Sequence, residues 1–462
     1  MSTKDSQEPQ PRTGDEDEGF VKPKYRTAGT VSLGLSMSID NTEGGVSRTF
    51  FPQIANVFGL QNTELGLLNA LGSAARMVFG PIWALAADRW GRKRILFVVT
   101  GMWGLWTIAT GFAQSWPQLL TLYTIALIGT VAGEPILNGL LGSLYRRSER
   151  GKAFGLVRGV SAALGIVLTP AIGQWGANPS GWRYAMFAMG GLSVLSGILI
   201  LLFVHEPKST TDELGEEVKS EAGLFKISDV PRLFKIRTLS LMALMLPLVT
   251  SLVLFGFMNQ IWAKNLGYGV KNGSYLFTVF SIGSTLSAFL GGFVGDQFVK
   301  KLGHKGRIIL FQIYAATWGI LVALTMYFAT WWDPDVVAGD GQSVTNDPSI
   351  AYYVMVFLMG LVFSIGFSGC VLPMVSSVCP RQLSSTSFAV LFSLIQGALT
   401  TVYSLIVGKV ADVIGDLQLT VVVAVTGPYL LNALLWFVFY STYEKDVHLQ
   451  AERTRLIEEG KF

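Results

Sequence analysis

Twelve apolar stretches, each long enough to cross a lipid bilayer, recur along this chain and leave room for little else. A helix rising ~1.5 Å per residue needs roughly 20 apolar residues to cross a hydrocarbon core of ~30 Å. The candidates are 28–57, 65–87, 94–113, 117–144, 152–174, 184–204, 238–263, 273–298, 307–330, 350–376, 383–412 and 418–441. Only 14% of the 462 residues are charged, against about 25% in a soluble domain, too few to cover a soluble fold of this size. The expected fold class is therefore an all-α membrane protein of twelve transmembrane helices, in a plasma or bacterial inner membrane.

Lys and Arg set the expected orientation, because they concentrate on the cytoplasmic side. With the N-terminus inside, 28 of the 35 Lys and Arg residues fall in cytoplasmic segments. The outer edges hold Arg183, Lys264, Lys271 and Lys409, and the spans hold Arg48, Arg76 and Arg158. The longest outer loop, Trp332 to Ser349, carries Asp333, Asp335, Asp340 and Asp347 and no basic residue. Both termini are thus expected inside. Residues 1–26 are acidic and lack the apolar core of a signal peptide, so they read as a disordered cytoplasmic tail. Residues 205–237 are charged and read as a cytoplasmic linker between six-helix bundles at 27–204 and 238–442, with a second tail at 443–462.

The two halves share a pattern. GPIWALAADRWGRKRIL follows the second span and GGFVGDQFVKKLGHKGRIIL follows the eighth. Each is a small-residue helix end, an Asp, a basic turn and an apolar helix start. Residues 84–93 resemble the major facilitator superfamily signature G-x-x-x-D-R/K-x-G-R-R/K. Asp88, Arg89, Gly91, Arg92 and Lys93 match, with Ala84 in place of the first Gly. The second copy keeps Gly292, Asp296, Gly303 and Lys305 on a longer turn. The resemblance implies two six-helix bundles with a solute site between them near mid-membrane. It also implies a cytoplasmic gate built from Asp88, Arg89, Gly91, Arg92 and Asp296. Gly165 to Gln174, with Pro170, resembles the Gly-Pro element of the family's antiporters, Thr169 standing in place of a Gly. Gly133-Glu134 resembles the Gly-Glu pair of the spinster-like carriers, with Leu127 in the region where those carry an Arg.

Charges within apolar spans cost at least ~2.5 kcal/mol each and mark function by default. Six occur, all in the first half: Asp40, Glu43, Arg48, Arg76, Glu134 and Arg158. Counting along helices from their inner ends at ~1.5 Å per residue puts Asp40, Glu134 and Arg76 all roughly 18–20 Å deep. Asp40, Glu43, Gly44, Ser47 and Phe51 share a helix face, expected to line a cavity. Asp40, Glu43 and Glu134 are the expected proton-coupling carboxylates. The expected solute contacts are Arg48, Arg76, Asn138, Arg158, Asn259, Gln260 and Gln396, an arginine being suited to an organic anion. The bland reading is that the three acids and three arginines neutralise one another as structural pairs. Trp262 and Tyr352 read as interfacial belt residues.

These features fit a secondary active carrier of a small organic solute working by alternating access, with a proton or another ion as driving partner. A drug, metabolite or lysolipid efflux antiporter is the nearest alternative, and a non-transporting solute sensor the alternative of another class. No G-x-x-x-x-G-K-S/T phosphate loop is present. His205, His304 and His448 lie outside the spans, so neither a metal centre nor an intramembrane enzyme site is expected. Cys370 and Cys379 are too far apart on one helix to bridge. No cofactor and no nucleic acid is expected, and the chain reads as a monomer in the bilayer.

Overall fold

The computed structural model describes residues 25–145, 147–204, 230–249, 251–380 and 383–458. Most of the first tail, the linker up to residue 229 and residues 459–462 lie outside the described residues. The fold is all-helical, with no strand among the described residues. A bilayer offers backbone groups no water, so helices that pair their own N–H and C=O groups are the natural solution.

The first half runs through α1 (Arg26–Thr49), α2 (Phe51–Phe58), α3 (Asn62–Trp90), α4 (Arg92–Leu96), α5 (Gly104–Gly111), α6 (Trp116–Thr130), α7 (Gly133–Leu144), α8 (Arg147–Gly173) and α9 (Gly181–Phe203). The second half runs through α10 (Arg237–Met245), α11 (Ser251–Gln260), α12 (Gly269–Leu302), α13 (Lys305–Met326), α14 (Ile350–Phe363), α15 (Leu372–Val378), α16 (Ser384–Phe388), α17 (Gln396–Ile414), α18 (Leu417–Leu435) and α19 (Phe439–Glu458). Residues 97–102, linking α4 to α5, form a π-helical turn, so those helices make one span. Local chemistry sets the breaks. Gln61 and Glu64 form a capping box at the start of α3. Gly91 ends α3 at φ 94°, a conformation that disfavours any side chain. Asp416 caps α18 by accepting the Leu419 N–H at 2.8 Å.

Ten helical segments among the described residues are long and apolar enough to cross a membrane, two fewer than the apolar pattern predicts. The missing two are the first and fourth. Asp40, Glu43 and Arg48 dilute the apolar character of α1. The fourth is divided at Val131–Ala132 into α6 of 15 residues and α7 of 12, each too short alone.

The two ends of the molecule pack differently. Arg26 and α19 mark one end, and the loop between α13 and α14 marks the other, the loop end. At the loop end one buried core runs through both halves, joining Phe50, Phe51, Leu65 and Trp182 to Phe257, Trp262 and Tyr352. Toward the terminus end the first half has a separate core, including Leu33, Leu96, Leu140 and Ile200. The direct ties between halves gather at the loop end. The Asn259 amide donates to Thr49 Oγ1 at 3.3 Å, the Asn69 amide to Gly256 O at 3.1 Å and the Gln174 amide to the Tyr275 hydroxyl at 2.7 Å. Among the described residues, the side-chain ties just given seal the halves together at the loop end.

The belt reading of Trp262 and Tyr352 is overturned. Both are fully buried, and the Trp262 indole N–H donates to the Tyr352 hydroxyl at 3.0 Å. The cause is the loop before α14, which folds over this end. Its Asp333 accepts from the Tyr268 hydroxyl at 2.8 Å and from Ser349 N at 3.2 Å. Covered rings must find protein partners for their polar tips, and these two find each other.

Candidate functional site

The acids of α1 are the most buried of the six intramembrane charges. Asp40 is 9% exposed and Glu43 4%. Burial of a polar group is tolerated when it is hydrogen-bonded, and threonines on the third span provide the bonds. Thr100 Oγ1 donates to Asp40 Oδ2 at 3.2 Å, and Thr107 Oγ1 donates to Glu43 Oε1. The second oxygen of each acid, Asp40 Oδ1 and Glu43 Oε2, has no hydrogen-bond partner among the described residues. The expected open cavity along this face is therefore replaced by a closed polar seam inside the first half. Glu43 and Gly44 border a small void there of about 10 Å³, shared with Thr107, Thr110, Tyr123 and Thr130, room for roughly one water.

Span four approaches this seam where its helix is interrupted. A Cβ on Gly133 would run into Asp40 Oδ2. The neighbouring Glu134 points elsewhere and pairs with Arg158 Nη2 at 3.4 Å, both side chains about half exposed. The Gly-Glu pair thus divides its work: Gly133 makes room for one acid and Glu134 presents another. Asn138 lies one helical turn beyond Glu134 and is half-buried.

Arg48 donates to Gly44 O at 3.3 Å and lies in electrostatic reach of Tyr123 and Arg76. Arg76 is exposed. Among the described residues neither arginine makes an ion pair, unlike Arg158. Of the six intramembrane charges, only Glu134 and Arg158 neutralise each other directly.

The second half contributes less charge. Asn259 and Gln260 are buried at the joint between halves, with Asn259 tied to Thr49 and Gln260 Oε1 without a partner among the described residues. Gln396 borders a cavity of about 40 Å³ inside the second half, otherwise lined by apolar side chains such as Met242, Phe367, Phe392 and Trp436.

At the terminus end, Arg92 Nη1 donates to Gly139 O at 2.8 Å, holding α4 to α7. Arg89 is exposed, and the Asp88 side chain lies outside the described residues. In the second copy Asp296 pairs with Arg307 Nη2 at 3.4 Å, so its basic partner sits two residues beyond the matching Lys305. Sequence reasoning missed Thr100 and Thr107, whose hydroxyls carry no charge to draw attention. It also missed Arg307, which the longer turn displaced.

Residues 33–402 match the sequence profile of the Major Facilitator Superfamily. The chain belongs to that superfamily. It is 25% identical over 283 residues to a Cupriavidus pinatubonensis protein named "Probable 4-methylmuconolactone transporter", covering 60% of this chain and 64% of that one. It is 27% identical over 164 residues to "Probable galactarate/D-glucarate transporter GudP" of Escherichia coli, covering 34% of this chain and 36% of that one. These matches span less than two thirds of either relative. Among solved structures, the fold resembles a bacterial homologue of the human lysosomal transporter Spinster, in an inward-facing and unoccupied conformation. That match has a TM-score of 0.68 and 17% identity, over 94% of this chain and 99% of that one, a likeness of fold alone. This superfamily member is a multi-pass cell-membrane protein, and the two relatives just given are named as transporters.

Proposed function

We propose that this chain is a secondary active carrier that moves a small organic anion across the cell membrane by alternating access, driven by protons. The observation that carries the reading is the pair Arg48 and Arg76, two guanidiniums within electrostatic reach and without an ion-pair partner among the described residues. Uncompensated intramembrane cations call for an anionic partner, and a guanidinium suits a carboxylate's two oxygens. The galactarate and D-glucarate in one relative's name are organic anions of this kind. Asn138 and Arg158 on the first half, and Asn259, Gln260 and Gln396 on the second, complete the proposed solute contacts.

Asp40, Glu43 and Glu134 are the proposed coupling carboxylates. Two are buried with one oxygen each unbonded; the third is held by Arg158 until solute or proton displaces it. The proposed layout is two six-helix bundles, 27–204 and 238–442, joined by the 205–237 linker. Both termini are cytoplasmic, α1–α2 and α6–α7 complete twelve spans, and the carrier acts as a monomer. The terminus end then faces the cytoplasm. Asp88, Arg89, Gly91, Arg92 and Asp296 would close that end in the opposite state.

The test is uptake into proteoliposomes under an imposed pH gradient, with D-glucarate as first probe and a panel of organic acids behind it. Arg48→Gln and Arg76→Gln are each expected to lower transport at least tenfold. Retention of full transport by both variants would overturn the anion reading. Neutralising Asp40, Glu43 and Glu134 one at a time tests coupling, and gradient-driven uptake surviving in all three removes that part of the proposal.

A further inference from the structure

Asp412 stands near the loop end of α17, in the second half, yet its hydrogen bonds go to the first half. Its Oδ1 accepts the Asn62 backbone N–H at 2.9 Å and the Asn62 side-chain amide at 3.0 Å. Its Oδ2 accepts the Thr63 backbone N–H at 2.7 Å and the Thr63 hydroxyl at 2.5 Å. Asn62 and Thr63 open α3. The first N–H groups of a helix have no partner within it, and the helix dipole draws an anion there. The capping box of α3 satisfies the Gln61 N–H through Glu64 at 2.8 Å. Asp412 takes the next two, so a residue of one half caps a helix of the other.

The same surface continues one turn inward. A Cβ on Gly66 would collide with Ser404 O and come within 3.3 Å of the Gly408 Cα, and a Cβ on Gly408 would meet Asn62 O at 2.5 Å. Gly66 lies four residues after Asn62, and Gly408 four before Asp412, so each pair shares a helix face. Carboxylate cap and glycine-on-glycine contact form one seam, at the end where the two halves are sealed.

We infer that Asp412 is the latch of the loop-end gate, a positioning residue that holds the first and second halves together there through the closed part of the cycle. Opening that end breaks four hydrogen bonds to one carboxylate together, and closing it remakes them. The seam makes the latch specific: the two backbones must meet at the glycines before the carboxylate reaches the helix start. This inference rests on the alternating-access reading proposed above and on the contact between the halves, not on the solute or the driving ion.

The test is access to a thiol sealed behind the latch. Asn69 is 8% exposed at the joint. Asn69→Cys, in a background carrying Cys370→Ala and Cys379→Ala, is treated with a membrane-impermeant maleimide from the loop-end side. Asp412→Asn keeps the shape and removes the charge, and is expected to raise the labelling rate at least tenfold, equal to about 1.4 kcal/mol in the closed-to-open ratio. Thr63→Val removes one of the four bonds and is expected to raise it at least threefold. Spin labels at Val57 and Val413, both exposed, should report a longer distance in Asp412→Asn. A threefold rise in either variant together with the longer distance supports the latch. Rates within threefold in both, or an unchanged distance, overturn it. If Asp412→Asn fails to insert, Thr63→Val alone decides by the same threshold.

Discussion

Replacing Gly133 by alanine is a one-carbon perturbation aimed at the acid seam. The added Cβ would fall against Asp40 Oδ2, with Thr100 Oγ1 at 3.6 Å beyond it. Either the carboxylate stays and the seam is overpacked, at a cost of about 1–3 kcal/mol, or it rotates away and forfeits the 3.2 Å bond from Thr100, about 1 kcal/mol for a neutral group and more for a charged one. Either route destabilises the first half. At roughly 2–4 °C per kcal/mol for a bundle of this size, the apparent melting temperature of the purified carrier should drop by several degrees. The decisive measurement is a double-mutant cycle with Asp40→Ala. That change removes the atoms Gly133 makes room for, so Gly133→Ala should become nearly silent in its presence. The coupling expected is about 1–3 kcal/mol, the range for residues in direct contact. Additive effects would mean that Gly133 tolerates a side chain for reasons unrelated to Asp40, and the account of the Gly-Glu pair given above would be wrong.

Three further outcomes follow from the same geometry. Thr107→Val, which keeps the shape and removes the hydroxyl, leaves a buried carboxyl short of a donor and should cost about 1–3 kcal/mol; an unchanged melting temperature speaks against the bond from Thr107 to Glu43. Replacing Glu134 and Arg158 together by glutamine should change stability by less than ~1 kcal/mol, because a half-exposed pair is worth little, while still lowering solute transport. A large loss of stability with normal transport would make the pair structural. The loop between α13 and α14 should loosen in acid. Burial raises the Asp340 carboxyl, but the Ser343 and Gln342 N–H groups and the Ser343 hydroxyl outweigh it and hold the group below its usual value. A depressed carboxyl contributes order that is complete above its unfolded value near ~4 and is lost as pH falls through the lower folded value. Hydrogen exchange at Gln342 and Ser343, corrected for intrinsic rates, should therefore lose protection only well below pH ~4. Equal loss already between neutrality and pH ~5 would contradict the assignment.

Much of the fold is written in the apolar pattern, because a bilayer accepts few solutions and span length is set by its thickness. The pattern falters where function intrudes. α1 fails as an apolar span because it carries Asp40, Glu43 and Arg48, and the fourth span is split one residue before Gly133. The six intramembrane charges were legible for the same reason, since each violates the surrounding composition. Their directions were not. A helix face polar by spacing can turn to a channel or to a neighbouring helix, and only the partner decides. Here Thr100 and Thr107 on the third span turn Asp40 and Glu43 inward, and no periodicity within α1 reports on a threonine 60 residues away. Trp262 and Tyr352 failed for a related reason: their burial depends on the loop of Asp333 folding over them, a non-local event.

Asp412 was the hardest to read and sharpens the picture of the cycle. In sequence it is an acid at the end of an apolar stretch, indistinguishable from a loop-edge residue. In space it caps α3, the helix whose other end carries Asp88 and the Gly91 turn. The resemblance assigns Asp88 to closure of the opposite end. α3 and α17 pack along each other as the most extensive helix pair across the halves. Each helix ends in a carboxylate: Asp412 near the end of α17, at the start of α3, and Asp88 near the end of α3. Among the described residues, the first arrangement is made. In the proposed cycle, a rocking motion that breaks it would free the start of α3, while Asp88 is the residue proposed to serve the opposite closure. The proposed cycle requires the two closures to be comparable in energy, because its states must interconvert readily. Asp412→Asn should therefore shift the balance toward loop-end opening without unfolding the carrier, and Asp88→Asn should shift it the other way. Combined, the two should return the balance of Asn69→Cys labelling toward that of the unmodified gates, while speeding interconversion.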